Sequence, residues 1–551
     1  MNVPQPLPAR SLTALQESQR KGETVNTPTD PAQTQSLMNG AESLLHTLID
    51  NGVDTCFTNP GTSEMHFVAA LDQIPGMRSV LVLQEGVATG AADGYFRMAR
   101  KPACTLLHLG PGLANGLSNL HNAKKAGSGV INVVGEHAST HIKLDAPLTS
   151  DIAGIAWPVS HWVRSSASAA LVGADAADAI QAANTAPGQI ATLILPSDTA
   201  WNAGGVVPTK QTATATPDYD KAALQAATDA LSGPDSLLLL GGESLSESNL
   251  VTAGRIAAQT GCALLSEWSN ARLERGAGRV AIGRVPYPID LALEALAPFK
   301  RIVLIGARAP IGFFAYPGKP AILSRDGANI ITLAAAETDL VGALDALSQA
   351  TKATHTDPAH VAQPSVPDRP DGPLSPESIA ALLGRAIPQD AIIIDESVTT
   401  GRAFFPATAG APKHTWLNNC GGSIGYGLPA SIGAAIACPD RKVLALIGDG
   451  SAMYTVQALW TMARENLDIT VLIFANRSYQ ILRGELTNVG VQNPGPRAID
   501  MLSLDRPNLQ WTQMAQSMGV ESCQVNDCDA LDVALETGLS TPGPFLIEII
   551  M

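Results

Sequence analysis

Short apolar runs alternate with helical patterns along most of this chain, and glycine or proline bounds the runs. Runs of about four to eight apolar residues between such breakers are typical of strands buried on both faces. Strands separated by helices favour parallel pairing, because the crossover helix returns the chain to the same edge of the sheet. We therefore predict an α/β fold. The clearest runs are 79–83, 104–109, 130–134, 191–195, 236–240, 301–305, 330–333, 391–394, 443–447, 470–474 and 544–550.

The pattern divides the chain into three segments, and each of them alternates strand and helix patterns. We predict three doubly wound parallel-sheet domains, over residues 37–205, 216–350 and 375–551. Residues 351–374 are rich in proline, aspartate and histidine, so we expect a surface linker there. Residues 1–36 lack the apolar stretch of a secretory signal, and their acidic residues disfavour a transit peptide. We expect a disordered tail.

Composition excludes several classes of function. Apolar residues make up 45% of the 551 residues, and the formal net charge of −15 argues against a nucleic-acid partner. No apolar run is long enough for a membrane span, so no membrane partner is expected. The seven cysteines form no CxxC pair, which favours reduced thiols and a cytoplasmic location.

Polar residues follow two predicted strands of the last segment. The strand 443–447 leads into Gly448-Asp449-Gly450-Ser451, and the strand 470–474 leads into Asn476-Arg477-Ser478. Ligands of such sheets gather beyond the carboxyl ends of the strands. A carboxylate, an amide oxygen and the Ser478 carbonyl form a hard oxygen site that suits Mg²⁺ bridged to a phosphate group. Gly450 would let the backbone approach that phosphate.

The first segment carries three further candidates. Residues 81–85 place Glu85 at the end of an apolar strand, before a small-residue helix over 86–95. His108 lies within the run 106–112, and Thr62 lies in the loop 59–64. Taken alone, such a glutamate is more often a solvated charge at a helix start, and such a histidine more often a hydrogen-bonded strand end.

Together these motifs resemble the thiamine-diphosphate-dependent decarboxylase and synthase superfamily. The Gly-Asp-Gly turn with its later Asn476 resembles the superfamily's metal motif, although Arg477 replaces a second asparagine. The segment 419–425 resembles its diphosphate-domain glycine segment. The likeness covers nearly the whole chain and is greatest to benzoylformate decarboxylases, followed by acetolactate synthases. It implies pyrimidine-binding, central and diphosphate-binding domains, and a homodimer or homotetramer with shared active sites.

The resemblance also implies a role for each candidate. Glu85 would protonate the cofactor's pyrimidine ring, a task favoured by shielding from water. Ile424 would hold the cofactor bent, and Asp449, Asn476 and the Ser478 carbonyl would bind Mg²⁺. His108 and Thr62 would face a small 2-oxo acid substrate. The remaining implied cofactor contacts are Thr399, in the turn 396–399, with Ser423, Gly450, Ser451, Gln480 and Ile481.

The implied reaction is decarboxylation of a 2-oxo acid, after which the enamine is protonated to an aldehyde or ligated to a second carbonyl. A second histidine expected in the loop 309–316 is replaced by Ala315, among Phe313, Phe314 and Tyr316. Without this histidine, protonation of the enamine would be slower, which would favour its ligation to a second carbonyl compound. An acetolactate-synthase-like carboligase stays open, with FAD possible in the central domain but not indicated by the sequence. A Mg²⁺-nucleotide enzyme and a non-catalytic cofactor-binding protein stay open as well.

Overall fold

Three β-sheets follow one another along the chain, and each is covered by helices. The computed structural model describes residues 38–210 and 214–551, so the predicted tail over residues 1–36 lies outside the described residues. The strands of the first two sheets all pair in parallel, and the third sheet adds one antiparallel edge strand. The predicted class, α/β with three doubly wound parallel sheets, is confirmed.

The first sheet has six strands in the order β2-β1-β3-β4-β6-β5. They are β1 (Thr55–Asn59), β2 (Arg78–Leu81), β3 (Ala103–Leu107), β4 (Val130–Glu136), β5 (Trp162–Ser165) and β6 (Ile190–Pro196). Its helices are α1 (Gly40–Asp50), α2 (Met65–Gln73), α3 (Glu85–Ala99), α4 (Leu109–Ala126), α5 (Ile152–Ala156), α6 (Ala169–Ala183) and α7 (Ser197–Trp201).

The second sheet has five strands in the order β10-β8-β7-β11-β12. The strands of this part of the chain are β7 (Ser236–Leu240), β8 (Ala263–Ser266), β9 (Leu273–Arg275), β10 (Gly283–Arg284), β11 (Arg301–Ile305) and β12 (Asn329–Ala334). The helices are α8 (Leu224–Ala230), α9 (Glu247–Thr260), α10 (Ile289–Leu296) and α11 (Leu340–Ala350). Strand β9 leaves its own segment and pairs with the third sheet.

The third sheet has seven strands in the order β17-β18-β16-β15-β13-β14-β9. Its own strands are β13 (Ile392–Glu396), β14 (His414–Asn418), β15 (Val443–Gly448), β16 (Ile469–Ala475), β17 (Glu521–Val525) and β18 (Phe545–Ile550). The helices are α12 (Pro376–Ala386), α13 (Phe404–Ala407), α14 (Gly427–Ala437), α15 (Asp449–Ala452), α16 (Ala458–Arg464), α17 (Gln480–Asn488), α18 (Pro496–Asp500), α19 (Trp511–Ser517) and α20 (Cys528–Ser540).

The first and third sheets share one hydrophobic core. Successive strand residues point to opposite faces, so Phe57 and Cys56 of β1 belong to different cores. The core that contains Phe57 also contains Ile394 and Ile447 of the third sheet. Helices α3, α4 and α14 contribute side chains to this core. The layer between the two sheets is therefore where loops of both segments can meet.

Glycines set the close contact between α3 and α14. A Cβ on Gly94 would lie 2.2 Å from the Ala430 carbonyl oxygen, and a Cβ on Gly433 would lie 1.9 Å from the Ala91 carbonyl oxygen. Any larger residue would force the helices apart. The small-residue helix predicted over 86–95 is present as part of α3, and its small side chains allow this close packing.

Two predicted strands are too long at their carboxyl ends. The strand predicted over 79–83 ends at Leu81, and the strand predicted over 104–109 ends at Leu107. Glu85 is therefore not the end of a strand but the first residue of α3. The cause is local, because the Gln84 side chain accepts a hydrogen bond from Val87 N and caps the helix there.

The predicted linker 351–374 forms no helix in the structure and contributes only isolated bridges, such as that of Val361 to Val280. The limits of the three predicted domains stay predictions. Across the two described stretches of chain, no helix combines the length and the apolar character that crossing a bilayer requires.

Candidate functional site

The first group of candidate residues lies at the carboxyl ends of β1 and β3. These strands pair in parallel, with Asn59 opposite Leu107, so the loops that follow them meet. Thr62 opens a short 3₁₀ turn after β1, and His108 directly precedes α4. A Cβ on Gly61 would lie 2.1 Å from His108 Nδ1, which shows how closely the two loops approach.

Glu64, which the sequence analysis did not single out, holds His108 in place. Glu64 Oε2 lies 2.9 Å from His108 Nδ1 and accepts a hydrogen bond of 2.8 Å from Gly61 N. Burial raises the pKa of Glu64, and the adjacent His108 opposes that rise. Because Nδ1 faces Glu64, His108 keeps Nε2 for another partner.

Glu85 lies beside the same loops. It is only 7% exposed, and Asn115 Nδ2 donates a hydrogen bond of 3.0 Å to its Oε2. Gly112 separates it from His108, since a Cβ there would lie 3.2 Å from Glu85 Oε1 and 3.3 Å from His108 Cβ. We call Thr62, Glu64, Glu85 and His108 the N-terminal cluster. The structure thus brings the three first-segment candidates to one edge of the first sheet.

The second group lies at the carboxyl ends of β15 and β16, which pair in parallel. Asp449 begins α15, and its Oδ2 accepts a hydrogen bond of 2.7 Å from Arg477 N. Asn476 Oδ1 accepts one of 3.0 Å from Ser478 N. We call Asp449, Asn476 and Ser478 the C-terminal cluster. The adjacency expected from the strand-end pattern is present.

The chemistry of this cluster fits a hard divalent cation. Asp449 is 3% exposed, and burial raises its pKa to about 6 against the opposing effect of backbone hydrogen bonds from Arg477 and Gly450. Each carboxylate oxygen accepts one amide and keeps a further lone pair for a ligand. Within residues 38–210 and 214–551, no three His, Cys, Asp or Glu side chains gather in a metal-binding group. A cation here must therefore also use amide and carbonyl oxygens, as predicted for Mg²⁺.

The other candidates of the third segment surround this cluster. Gly450 lies against the Tyr479 ring, which a Cβ on that glycine would approach to 2.5 Å. Tyr479 directly precedes Gln480 and Ile481, the first residues of α17. Ser451 is buried in the short helix α15. Gly450 therefore lies next to the loop that begins α17.

The glycine segment 419–425 follows strand β14 directly and therefore begins at the same edge of the third sheet. Gly422 and Gly425 have φ angles of +77° and +91°, which favour glycine. A Cβ on Gly425 would also lie 2.6 Å from Tyr454 Cβ. Ser423 and Ile424 lie between these two glycines, whose left-handed backbone angles determine where the two residues are placed.

A buried carboxylate organises the end of this segment. Glu396 accepts hydrogen bonds of 3.0, 3.1 and 2.8 Å from the backbone N–H groups of Gly425, Tyr426 and Gly427. Burial raises the pKa of Glu396 to about 7, although these three donors oppose the rise. Glu396 was predicted only as part of the turn 396–399. Its carboxylate bonds the backbone at the end of the glycine segment and at the start of α14.

The raised pKa of Glu396 predicts a pH-dependent stability. The folded pKa of about 7 exceeds the ordinary 4.5, so the contribution of this group is complete below pH 4.5 and is lost as the pH rises through 7. Between pH 4.5 and 7 each pH unit should remove roughly 1.4 kcal/mol of unfolding free energy, and above pH 7 the group is ionised in both states, so no further loss follows. Melting temperatures from pH 5 to pH 7, without added cofactor, should therefore fall more steeply for the wild type than for Glu396→Gln. Parallel curves within that pH range would contradict this prediction.

Three residues of the candidate site have left-handed backbone angles that disfavour side chains. Leu109, Val398 and Arg477 have φ angles of +50°, +51° and +54°. They follow His108, precede Thr399 and follow Asn476, respectively. Strain of this kind persists only where the surroundings enforce it, and it concentrates at functional sites. This observation is independent of the motifs that led to the candidates.

A cavity of about 560 Å³ lies between the second and third segments. Thr399, Gln480 and Ile481 line it from the third segment, so the structure brings these three candidates together. The opposite wall carries four aromatic residues, and Ile289, Asp290 and Lys319 lie beside them. The aromatic residues are Tyr287, Phe313, Phe314 and Tyr316. The loop expected to carry a second histidine thus presents aromatic rings to the cavity.

Comparison with known proteins identifies the family of this chain. Residues 38–155 match the family model described as thiamine pyrophosphate enzyme, N-terminal TPP binding domain, and residues 400–549 match its C-terminal TPP binding domain. The Mycobacterium tuberculosis protein named acetolactate synthase large subunit IlvX is 49% identical over 520 residues, covering 93% of this chain and 99% of that protein. This chain belongs to the thiamine-diphosphate-dependent decarboxylase and acetolactate synthase family.

Two further proteins resemble this chain at lower sequence identity. Benzoylformate decarboxylase of Pseudomonas aeruginosa is 28% identical, covering 91% of this chain and 96% of that enzyme. The structure of a thiamine diphosphate-dependent 4-hydroxybenzoylformate decarboxylase of Rhodococcus jostii superposes with a TM-score of 0.80 at 22% identity, covering 93% of this chain and 98% of that one. At that identity the likeness concerns the fold.

The chain is thus a thiamine-diphosphate-dependent enzyme by family, and its family members act on small 2-oxo acids. The N-terminal cluster lies within the first matched region, and the C-terminal cluster lies within the second. Membership therefore favours thiamine diphosphate over a nucleotide as the cofactor of this chain. Neither matched region covers residues 216–350, the predicted central domain in which FAD was considered possible.

Proposed function

We propose that this enzyme uses Mg²⁺ and thiamine diphosphate to decarboxylate a 2-oxo acid. The observation that carries the proposal is the pair of buried carboxylates, Glu85 and Asp449, each at the carboxyl end of a parallel sheet and each with hydrogen bonds that fix it. When bound, thiamine diphosphate supplies a thiazolium ring that accepts the electrons left by departing carbon dioxide. The protein supplies binding, orientation and proton transfer.

The C-terminal cluster would hold the cation and the diphosphate. Asp449, Asn476 and the Ser478 carbonyl would coordinate Mg²⁺, which usually keeps waters and bridges to phosphate oxygens. Gly450, Ser451 and Thr399 would contact the diphosphate, and Ser423, Gln480 and Ile481 would contact the rest of the cofactor. Ile424 would press on the cofactor from the glycine segment. The raised pKa of Asp449 supports this assignment, because a divalent cation would compensate its buried charge.

The N-terminal cluster would handle protons. Glu85, shielded from water and held by Asn115, would share a proton with the pyrimidine ring nitrogen. His108 would exchange a proton with the substrate through Nε2, since Glu64 faces Nδ1. Thr62 would offer its hydroxyl to the substrate carboxylate. Glu64 would act as a positioning residue for His108.

The two clusters would serve one cofactor across a subunit interface. The resemblance that led to the candidates implies a homodimer or homotetramer with shared sites, and we propose that arrangement here. Glu85 of one protomer would then meet a cofactor held by Asp449 of its partner.

Carboligation is a second candidate outcome. Two observations favour it: Ala315 stands where a second proton-donating histidine would be expected, and the relative at 49% identity is named as an acetolactate synthase large subunit. Slow protonation would leave time for a second carbonyl compound to react. The aromatic wall of the cavity would then bind that acceptor.

A panel of 2-oxo acids tests the proposed function. The purified protein with Mg²⁺ and thiamine diphosphate is incubated with aliphatic and aromatic members, and carbon dioxide and coupled products are both measured. We expect carbon dioxide from at least one member. Ligated products would favour the carboligase, and a yellow purified protein would indicate FAD. Absence of carbon dioxide with every member, together with absence of cofactor binding, would overturn the proposal and favour a non-catalytic role.

Removing the partner of His108 gives a further prediction. Glu64→Gln keeps the volume but loses the charge that holds the His108 ring, so kcat should fall by roughly 10-fold to 100-fold with little change in cofactor affinity. Glu64→Ala should lower kcat further, because no side chain then bonds Nδ1 of His108. Unchanged kcat in Glu64→Gln, or a loss of cofactor affinity as large as the loss of kcat, would remove the positioning role.

A further inference from the structure

Three asparagines of helix α4 contact either Glu85 or the glycine segment. Asn115, Asn119 and Asn122 are spaced four and three residues apart, so they share one face of the helix. Asparagine is a weak helix former in helix interiors. Asn119 and Asn122 are nonetheless 1% and 0% exposed. Their contacts must therefore offset both the helix propensity and the burial of a polar amide.

Asn122 binds both backbone groups of one residue in the glycine segment. Its Nδ2 donates a hydrogen bond of 2.8 Å to the Ser423 carbonyl, and its Oδ1 accepts one of 3.2 Å from Ser423 N. The approach is close, because a Cβ on Gly421 would lie 2.4 Å from Asn122 Oδ1. A side chain that pairs with the N–H and the C=O of one residue fixes the orientations of the two peptide groups on either side of that residue.

Asn119 continues the connection to the helix that begins with Glu85. Its Nδ2 donates to the Gly86 carbonyl at 2.8 Å and to the Gly425 carbonyl at 3.1 Å. Its Oδ1 accepts a hydrogen bond of 3.0 Å from Asn122 Nδ2. One continuous network therefore joins the first turn of α3 to the residues on both sides of Ile424.

We propose that Asn119 and Asn122 are positioning residues that fix Ile424 and its glycine segment against helices α3 and α4 of the same chain. The proposal rests on the proposed function, which gives Ile424 its role toward the cofactor that the C-terminal cluster of this chain would hold. It adds the device that holds the glycine segment in place before any cofactor binds. Loss of either amide would leave buried backbone groups without partners and free the segment to shift. A displacement of about 1 Å at a reacting group can cost about 100-fold in rate.

The test compares Asn122→Ala with a matched control, Asn132→Ala. Asn132 is also 0% exposed, but it lies within β4 and bonds Thr105 and Thr192. The first measurement is backbone amide hydrogen exchange of residues 421–427 in the protein without added cofactor. We expect exchange there to be at least about 10-fold faster in Asn122→Ala and unchanged in the control. Unchanged protection in Asn122→Ala, or equal loss in both variants, would overturn the proposal.

The second measurement follows the cofactor itself. With Mg²⁺ and thiamine diphosphate added, exchange of the cofactor's C2 hydrogen should slow by at least about 10-fold in Asn122→Ala, while the dissociation constant changes by less than about 3-fold. Normal C2 exchange would overturn the positioning role. If Asn122→Ala does not fold, Asn122→Asp keeps the volume and the acceptor but loses the donor, and the same criteria apply. A wild type that binds no cofactor would refute the proposed function, whereas the amide measurement would still judge the asparagine network.

Discussion

Replacing Glu85 by glutamine should lower turnover by about 100-fold to 10,000-fold while thiamine diphosphate still binds. Glutamine keeps the volume of the side chain and can still bond Asn115, so the fold should be retained. It cannot give a proton to the pyrimidine ring nitrogen, which is the role proposed for Glu85. Steady-state rates with the best 2-oxo acid, and calorimetric titration with the cofactor, measure the two effects separately.

Glu548→Gln is the matched control for this variant. Glu548 is also buried, but it lies within β18 and bonds Thr512 N. We expect near-normal turnover in the control. Full activity of Glu85→Gln, or an equal loss in both variants, would remove the proposed role of Glu85.

Replacing Asp449 by alanine should weaken Mg²⁺-dependent cofactor binding by at least about 100-fold. Loss of a residue that merely supports a metal ligand already costs 10-fold to 100-fold, and Asp449 is the only charged member of the C-terminal cluster. Calorimetric titration with thiamine diphosphate, with and without Mg²⁺, measures the change.

Asp175→Ala provides the comparison for Asp449→Ala. Asp175 is a buried aspartate of α6 that bonds Arg164 and Ser166. Its replacement should lower the melting temperature but leave the cofactor affinity unchanged. Equal affinity in Asp449→Ala and the wild type would rule out the proposed metal site.

The strand-end pattern was sufficient to predict the C-terminal cluster. Parallel strands end at the same edge of a sheet, so Asp449 and Asn476 had to lie close together once their strands were neighbours. The exact start of α3 could not be predicted in this way. It depends on the Gln84 side chain as a cap, and sequence patterns place helix ends only to within a few residues.

The missed residues act through contacts between distant parts of the chain. Glu64 meets His108 only because two strands pair, and Asn122 meets Ser423 only because the first and third segments pack together. Phe313 similarly lies against Gly422, where a Cβ would approach its ring to 2.6 Å. Strand β9 was not predicted either, because a strand of three residues is stabilised mainly by the sheet that it joins, and that sheet belongs to another segment.

Mixing two inactive variants tests the central claim most directly. If one cofactor is held by Glu85 of one protomer and Asp449 of its partner, a heterodimer of Glu85→Gln and Asp449→Ala subunits has one doubly defective site and one intact site. Co-expression or subunit exchange at equal amounts should give roughly a quarter of the wild-type activity in the random mixture, and roughly half in the heterodimer purified through two different affinity tags. Activity no higher than that of the separate variants, in a verified heterodimer, would contradict a site shared between Glu85 and Asp449 of facing subunits.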